Sequence, residues 1–273
     1  TNSLTSPAYS NLSNDDHTEN DIKILNSLSL DLSVLRQNML FSGLDVTSHN
    51  INRKQSDLKL FEFGKTYKLI NQERIEGKKL SLYITGDLSK KNWNTKKVKT
   101  DYYYTKGIVK SILDRIGIKN TLSKPTTLSN LQEGESLFLS KKEIVTYGSV
   151  KKIILNSFNI DQEVFYVEFK WDTIILMTNN KPIHVDEIPK FPEVSRDLSL
   201  LIDKNVDFES IYNSCIKIDK KLIKDVSLFD VYEGNKLPEN KKSYGLSLNI
   251  SSNEKTLSDK EIDKLMLKII KNL

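Results

Sequence analysis

The stretch VSLFDVYEG, residues 226–234, decides how the last third of this chain folds. Val226, Leu228, Phe229 and Val231 favour a strand, and Gly234 ends the run. Side chains alternate between the two faces of a strand. Asp230 and Tyr232 are therefore expected on one face, and Phe229 with Val231 on the other. The second face reads as core. The first sets a hydrogen-bonding acid beside a flat ring, and the surrounding sequence must say whether that pair is merely solvated or reads something.

Working outward, RDLSLLID (196–203) alternates as a strand with Leu198, Leu200 and Ile202 on one face. DFESIYNSCIKI (207–218) carries Phe208, Ile211, Cys215 and Ile218 on one helical stripe. SYGLSLNISS (243–252) is a third strand. The final segment, SDKEIDKLMLKIIKNL (258–273), opens with Ser258 and Glu261 in capping-box spacing and reads as a helix. The order β-α-β-β-α is a ferredoxin-like βαββαβ unit lacking its last strand. Such a sheet carries its helices on one face and leaves the other open.

Just upstream, NKPIHVDEIPKFPEV (180–194) holds Pro182, Pro189 and Pro192, half of the 6 prolines in the chain. Proline at this density disfavours helix and central strand alike. A junction is expected near residues 182–192, dividing a domain over 1–188 from one over 189–273. Before the junction, residues 1–20 read as loop with a short strand. A helix is expected from Ser33 onward, capped by Asp31 or Ser33, with Leu40, Leu44, Thr47 and Ile51 on its stripe. DLKLFEFGKTYKL, KLSLYITG, EIVTYGSV and EVFYVEFKWDTI read as strands, YYYTKGIVKSILDRIGI as a helix ended by Gly117, and KKIILNSFNI as either. The class is α+β.

A length of 273 residues suits about two domains. The single cysteine, Cys215, excludes an internal disulfide, fits a reducing compartment and reads as a small buried hydrophobe. No apolar run approaches the roughly 20 residues of a membrane span. The N-terminal stretch has no secretory pattern and no starting Met, so the chain reads as a piece of something longer. A net charge of +5 is too mild to imply nucleic-acid binding by itself. The lysines of LSKKNWNTKKVK (88–99) read as an exposed basic loop, with phosphate contact as the alternative. His17, His49 and His184 lack metal-ligand spacing, and Asp15–Asp16 and Asp186–Glu187 read as solvated pairs.

Three blocks, FPEVSRDLSLLID (191–203), LFDVYEG (228–234) and KKSYGLSLNISSNEKTLSDKEID (241–263), together resemble the C-terminal anticodon-binding domain of the bacterial phenylalanyl-tRNA synthetase beta subunit. SLDLSVLRQNMLFSGLDVTSHNINRK (29–54), LKLFEFGKTY (58–67) and the Asp-aromatic-aromatic start of DYYYTKGIVKSILDRIGI (101–118) resemble that subunit's class II synthetase-like domain. The resemblance implies a class II synthetase-like antiparallel sheet with helices, followed by the ferredoxin-like domain. It implies a non-catalytic part of a phenylalanine–tRNA ligase, whose partners are tRNA(Phe) and a catalytic alpha subunit in an assembly of two alpha and two beta chains. ATP and magnesium would serve the holoenzyme's reaction, with no cofactor, catalytic residue or metal ligand in this chain. The location implied is cytoplasmic, without a membrane.

The residues agree with a silent site. A class II centre needs an arginine on a motif strand to hold the ATP α-phosphate, and another after a Gly-rich strand. LFEFGKTY keeps Glu62 but has no arginine, and none of Arg36, Arg53, Arg74, Arg115 and Arg196 follows a Gly-rich strand. By the resemblance, the open sheet face reads the first anticodon base, a guanine, with Asp230, Tyr232 and Ser243. A carboxylate can accept from guanine N1–H and N2–H₂, a ring can stack, and a hydroxyl can donate or accept. Lys241 and Lys242 are possible phosphate contacts; Arg196, beside Asp197 at the start of the domain, reads first as part of a structural ion pair, with phosphate contact as the alternative. On the strand pattern alone, Asp230 could instead cap the next turn and Tyr232 be an ordinary edge aromatic. A stand-alone ferredoxin-like binding or regulatory module is the alternative function.

Overall fold

The computed structural model describes residues 1–27, 29–89, 92–94, 96–178, 190–234 and 237–273. Pro182, His184, Asp186, Glu187 and Pro189, together with Lys90, Lys91 and Thr95 of the lysine-rich loop, lie outside the described residues. The chain divides into two compact units, Thr1–Ile183 and His184–Leu273.

The first unit opens with β1 (Leu4–Thr5), β2 (Ile22–Lys23) and β3 (Val34–Leu35), a small antiparallel sheet in the order β1-β3-β2. Helix α1 (Leu40–Ile51) follows. The strands β4 (Leu58–Ile70) and β5 (Glu73–Thr85) form a long hairpin. After the short pair β6 (Asp87–Ser89) and β7 (Val98–Lys99) come α2 (Tyr102–Arg115), β8 (Leu122–Pro125), β9 (Leu131–Leu139), β10 (Lys142–Val150), α3 (Lys152–Ser157), β11 (Val164–Lys170) and α4 (Trp171–Thr178). The main sheet has six strands in the order β4-β5-β11-β10-β9-β8, each pair antiparallel.

Two hairpin turns in this sheet place both central residues at positive φ: Asn71 and Gln72 between β4 and β5, Ser140 and Lys141 between β9 and β10. That is the turn geometry whose twist matches paired strands, and neither carries the Gly that usually advertises it. Strand β11 is buried on both sides. Val164 and Tyr166 join the core under α1 and α3, with Met39, Leu40, Leu44, Tyr83, Ile154 and Leu155. Val167 and Phe169 join the core under α2 and α4, with Val109, Leu113, Val145, Tyr147 and Ile174. A strand covered twice reads as an unbroken apolar run, which is what VFYV is.

Two expectations change here. Helix α1 starts at Leu40, because Val34 and Leu35 pair in a strand; neither Asp31 nor Ser33 caps it. Instead the Phe41 N–H donates to Asn38 Oδ1 at 3.3 Å. WDTI is helical, since Asp172 in the first turn of α4 accepts from the Lys78 N–H at 2.7 Å and Ile174 turns into the core. The ambiguous KKIILNSFNI supplies α3.

The second unit runs β12 (Val194–Asp203), α5 (Phe208–Ile218), β13 (Ile223–Tyr232), β14 (Lys241–Ile250) and α6 (Asp259–Asn272). Its sheet order is β12-β14-β13, antiparallel throughout. Asp207 caps α5 by accepting from the Ser210 N–H at 2.7 Å, and the capping box of Ser258 and Glu261 starts α6. The helices cover one face: Ile211 and Cys215 of α5 and Ile262, Leu265 and Ile269 of α6 pack with Val226, Tyr244, Leu246, Leu248 and Ile250. Cys215 is fully buried, and burial raises its thiol pKa, so it is a packing residue. Among the described residues no helix is long and apolar enough to cross a membrane, and no cluster of His, Cys, Asp and Glu could hold a metal ion.

Candidate nucleic-acid interface

The other face of the second sheet is open, and its residues follow from the register. Leu201 and Tyr232 flank Ser243, directly opposite it on the two neighbouring strands. In the next row Ser199 and Asp230 flank Gly245, and beyond it Asp197 and Ser227 flank Ser247. Asp230, Tyr232 and Ser243 therefore share one face within two adjacent rows. The hydroxyls are loosely linked across it, Ser195 to Ser247 at 2.9 Å and Ser199 to Ser243 at 3.5 Å.

Strand β13 does not alternate to its end. Its pairing with β14 slips between Leu228 and Asp230, the mark of a β-bulge. Phe229 is the extra residue, and it turns to the open face instead of the core, where the alternation had placed it. Its ring lies over Gly245, close enough that a Cβ there would sit 2.8 Å from Phe229 Cε2 and 3.0 Å from Asp230 Cβ. Phe229 is 61% exposed. Val231 stands opposite buried Tyr244 on the helix side, yet is itself half exposed. The Tyr232 ring leans on Gly234 in the same manner, with a Cβ at that position falling 2.4 Å from Tyr232 Oη. Gly245 was the readable signal: glycine inside a strand marks a bulge or a close approach.

The basic residues divide. Lys241 is on the open face, one row from Ser243, and pairs with Asp203 at 2.8 Å. Lys242 is on the helix side, nearly buried, with Nζ 4.7 Å from the centre of the Tyr244 ring. Arg196 also turns to the helix side, where Nη2 meets Asp259 in the first turn of α6 at 3.3 Å. Neither Arg196 nor Lys242 joins Asp230 and Tyr232, because alternation along their strands sends them to the opposite face. The open face is accordingly serine-rich and acidic: Asp197, Asp203 and Asp230 against Lys241.

In the first unit, Glu62 on β4 receives Arg36 Nη1 at 3.0 Å, and Arg36 Nε donates to the Lys65 carbonyl at 2.9 Å. Burial alone would raise the Glu62 pKa. The Thr1 hydroxyl and the Arg36 guanidinium outweigh it and hold the carboxyl below its ordinary value. Arg36 is thus spent inside the fold.

A family model described as the phenylalanyl tRNA synthetase beta chain CLM domain matches residues 1–171, and one described as a ferredoxin-fold anticodon binding domain matches residues 189–273. The phenylalanine–tRNA ligase beta subunit of Bacteroides fragilis is 38% identical over 284 aligned residues, which cover 100% of this chain and 35% of that protein. The subunit of the same name from Porphyromonas gingivalis is 35% identical over 280 residues, covering 98% of this chain and 34% of that protein. The chain thus spans about a third of the length of these curated relatives. A solved structure, the pyrrolysyl-tRNA synthetase of Desulfitobacterium hafniense, superposes with a TM-score of 0.50 at 11% identity, covering 66% of this chain and 62% of that one, a likeness of fold alone. With both units matched and relatives aligned from end to end, this chain belongs to the phenylalanyl-tRNA synthetase beta chain family.

Proposed function

We propose that this chain is a non-catalytic, tRNA-facing portion of a phenylalanine–tRNA ligase, and that the open face of its second unit reads the first base of the tRNA(Phe) anticodon. The observation that carries the reading is the placement of Asp230, Tyr232 and Ser243 on one uncovered sheet face, with Tyr232 directly across from Ser243. An unpaired guanine offers N1–H and N2–H₂ on one edge, a match for the Asp230 carboxylate, and a π-face for Tyr232. Ser243 contributes a hydroxyl that donates or accepts. The anticodon is single-stranded in its loop, so its base edges are free to be read.

The first unit supports a catalytic alpha subunit in this reading, in the cytoplasm, within an assembly of two alpha and two beta chains. ATP and magnesium act in the alpha subunit's centre. The pairing of Arg36 with Glu62 supports a silent first unit, because the arginine that meets Glu62 on β4 is committed to the fold.

The test is direct binding of a fluorescent anticodon stem-loop with guanine first, against the same hairpin with that guanine replaced. Guanine-selective binding is expected. Equal binding to both hairpins removes base reading from this face.

A further inference from the structure

The bulge in β13 has no role in the reading above, which uses only Asp230, Tyr232 and Ser243. A bulge re-aims a side chain at the cost of a ladder hydrogen bond, and it recurs where a site needs a residue on the wrong face. Here it takes Phe229 out of the core alternation and lays its ring over Gly245. Any other residue at 245 would collide with that ring. The other aromatic on this strand is seated alike, Tyr232 over Gly234. Ring atoms of both thus lie against glycine backbone on either side of Asp230. Phe229 is 61% and Tyr232 42% exposed.

An apolar ring held this way on an edge strand invites aggregation unless something covers it. The rest of the face offers an apolar protein partner little: Leu201 is its one further large apolar side chain, among Ser195, Ser199, Ser227 and Ser247 with Asp197, Asp203 and Lys241. It suits bases, which bring a π-face to the rings and N–H donors to the acids. Residues 229 and 232 are separated by two to three strand rises, ~7–10 Å. Stacked bases of one strand lie about 3.4 Å apart. The two rings therefore cannot share one base stack; they hold two bases pulled away from each other, as aromatic pairs do on RNA-reading sheets.

We propose that Phe229 is a second base platform, so that this face takes two consecutive unpaired nucleotides, one stacked on Tyr232 and its neighbour stacked on Phe229. The proposal rests on the anticodon reading above and adds to it a residue and a nucleotide.

The test uses the full chain and guanine-first anticodon stem-loops with an abasic site at the nucleotide before or after the guanine. Phe229→Ala is expected to weaken binding of the intact hairpin roughly tenfold. Against one of the two abasic hairpins that penalty should vanish, while the Tyr232→Ala penalty remains. Phe229→Trp, which keeps a ring, should bind like the parent; Phe229→Leu, which keeps bulk without a π-face, should behave like Phe229→Ala. A Phe229→Ala penalty that persists against both abasic hairpins, or is absent from the intact one, overturns the platform. If the parent chain binds without regard to the guanine, the anticodon reading falls on its own. The abasic hairpins still decide whether Phe229 stacks a base. A parent chain that binds no hairpin overturns both.

Discussion

Tyr232 stands directly across from Ser243 in the pairing of β13 with β14, and both face away from the helices. The ring is 42% exposed on the face away from the helix core, so its removal should leave the fold intact. Base–aromatic stacking is worth about 1–3 kcal/mol. Tyr232→Ala is therefore expected to weaken the guanine-first hairpin by roughly 5- to 150-fold, with an unchanged urea midpoint. Tyr232→Phe should keep most of the affinity. Fluorescence anisotropy checks binding, and urea unfolding the fold; an unaltered Kd in Tyr232→Ala would count against stacking here.

Asp230 occupies the next row, opposite Gly245. A carboxylate only accepts, which matches the two N–H groups on the guanine edge. Asp230→Asn replaces one acceptor with a donor. The guanine-first hairpin should lose affinity by about 1–3 kcal/mol, the usual size of base discrimination by a good bidentate pair. The hairpin with guanine replaced should be unaffected, so the ratio of the two affinities collapses. A uniform loss for both hairpins would assign Asp230 to the fold instead.

The basic residues make a prediction about salt. Lys241 is the one cation of the three named in the sequence that shares the face with Tyr232, and it is already paired with Asp203. Each phosphate neutralised on a single strand adds about −0.7 to the slope of log K against log salt. The hairpin slope should therefore be shallow, no steeper than about −0.7 for contacts on this face. Lys241→Ala should flatten it by about 0.7, whereas Arg196→Ala and Lys242→Ala should not change it. A steep slope would place phosphates on cations elsewhere in the chain.

Much of this was legible before any coordinates, and the reasons are local. The second unit reads cleanly because each strand has a single buried face: Leu198, Leu200 and Ile202, then Tyr244, Leu246, Leu248 and Ile250, repeat every second residue. Asp207 and Ser258 mark its helix starts with ordinary cap chemistry. The bulge at Phe229 was not legible, since an inserted residue keeps the same composition as an alternating strand, and only Gly245 on the partner hints at it. Lys242 was misplaced for a related reason, whereas Arg196 does form a structural ion pair, with Asp259. Adjacency to Ser243 in sequence means the opposite face in a strand, so Lys242 had to point away from Ser243. In the first unit α1 was read seven residues too early, because Val34 and Leu35 suit a helix stripe as well as a strand until their partners Thr5 and Leu4 are known. The register of tertiary pairing decides such cases, and no window of local sequence contains it.

Arg36 and Glu62 give a prediction about the first unit that needs no RNA. The Arg36 side chain is 3% exposed and that of Glu62 is 15% exposed, at 3.0 Å. Removing one partner of a buried pair leaves the other desolvated and uncompensated, which costs about 3–5 kcal/mol. Glu62 keeps some water and the Thr1 hydroxyl, so Arg36→Met should cost about 3 kcal/mol at pH 7, near the lower end of that range. The folded pKa of Glu62 lies below its ordinary value, so its ionised form contributes stability above about pH 4.5. That contribution is lost as pH falls through the folded pKa. In Arg36→Met, burial acts without the guanidinium, and Glu62 takes up its proton at higher pH. The stability gap between parent and variant should therefore narrow from pH 7 toward pH 4, as read by urea unfolding of the first unit at both values. A gap that stays constant with pH would mean that Arg36 stabilises through packing and its bond to the Lys65 carbonyl, with the charge on Glu62 contributing nothing.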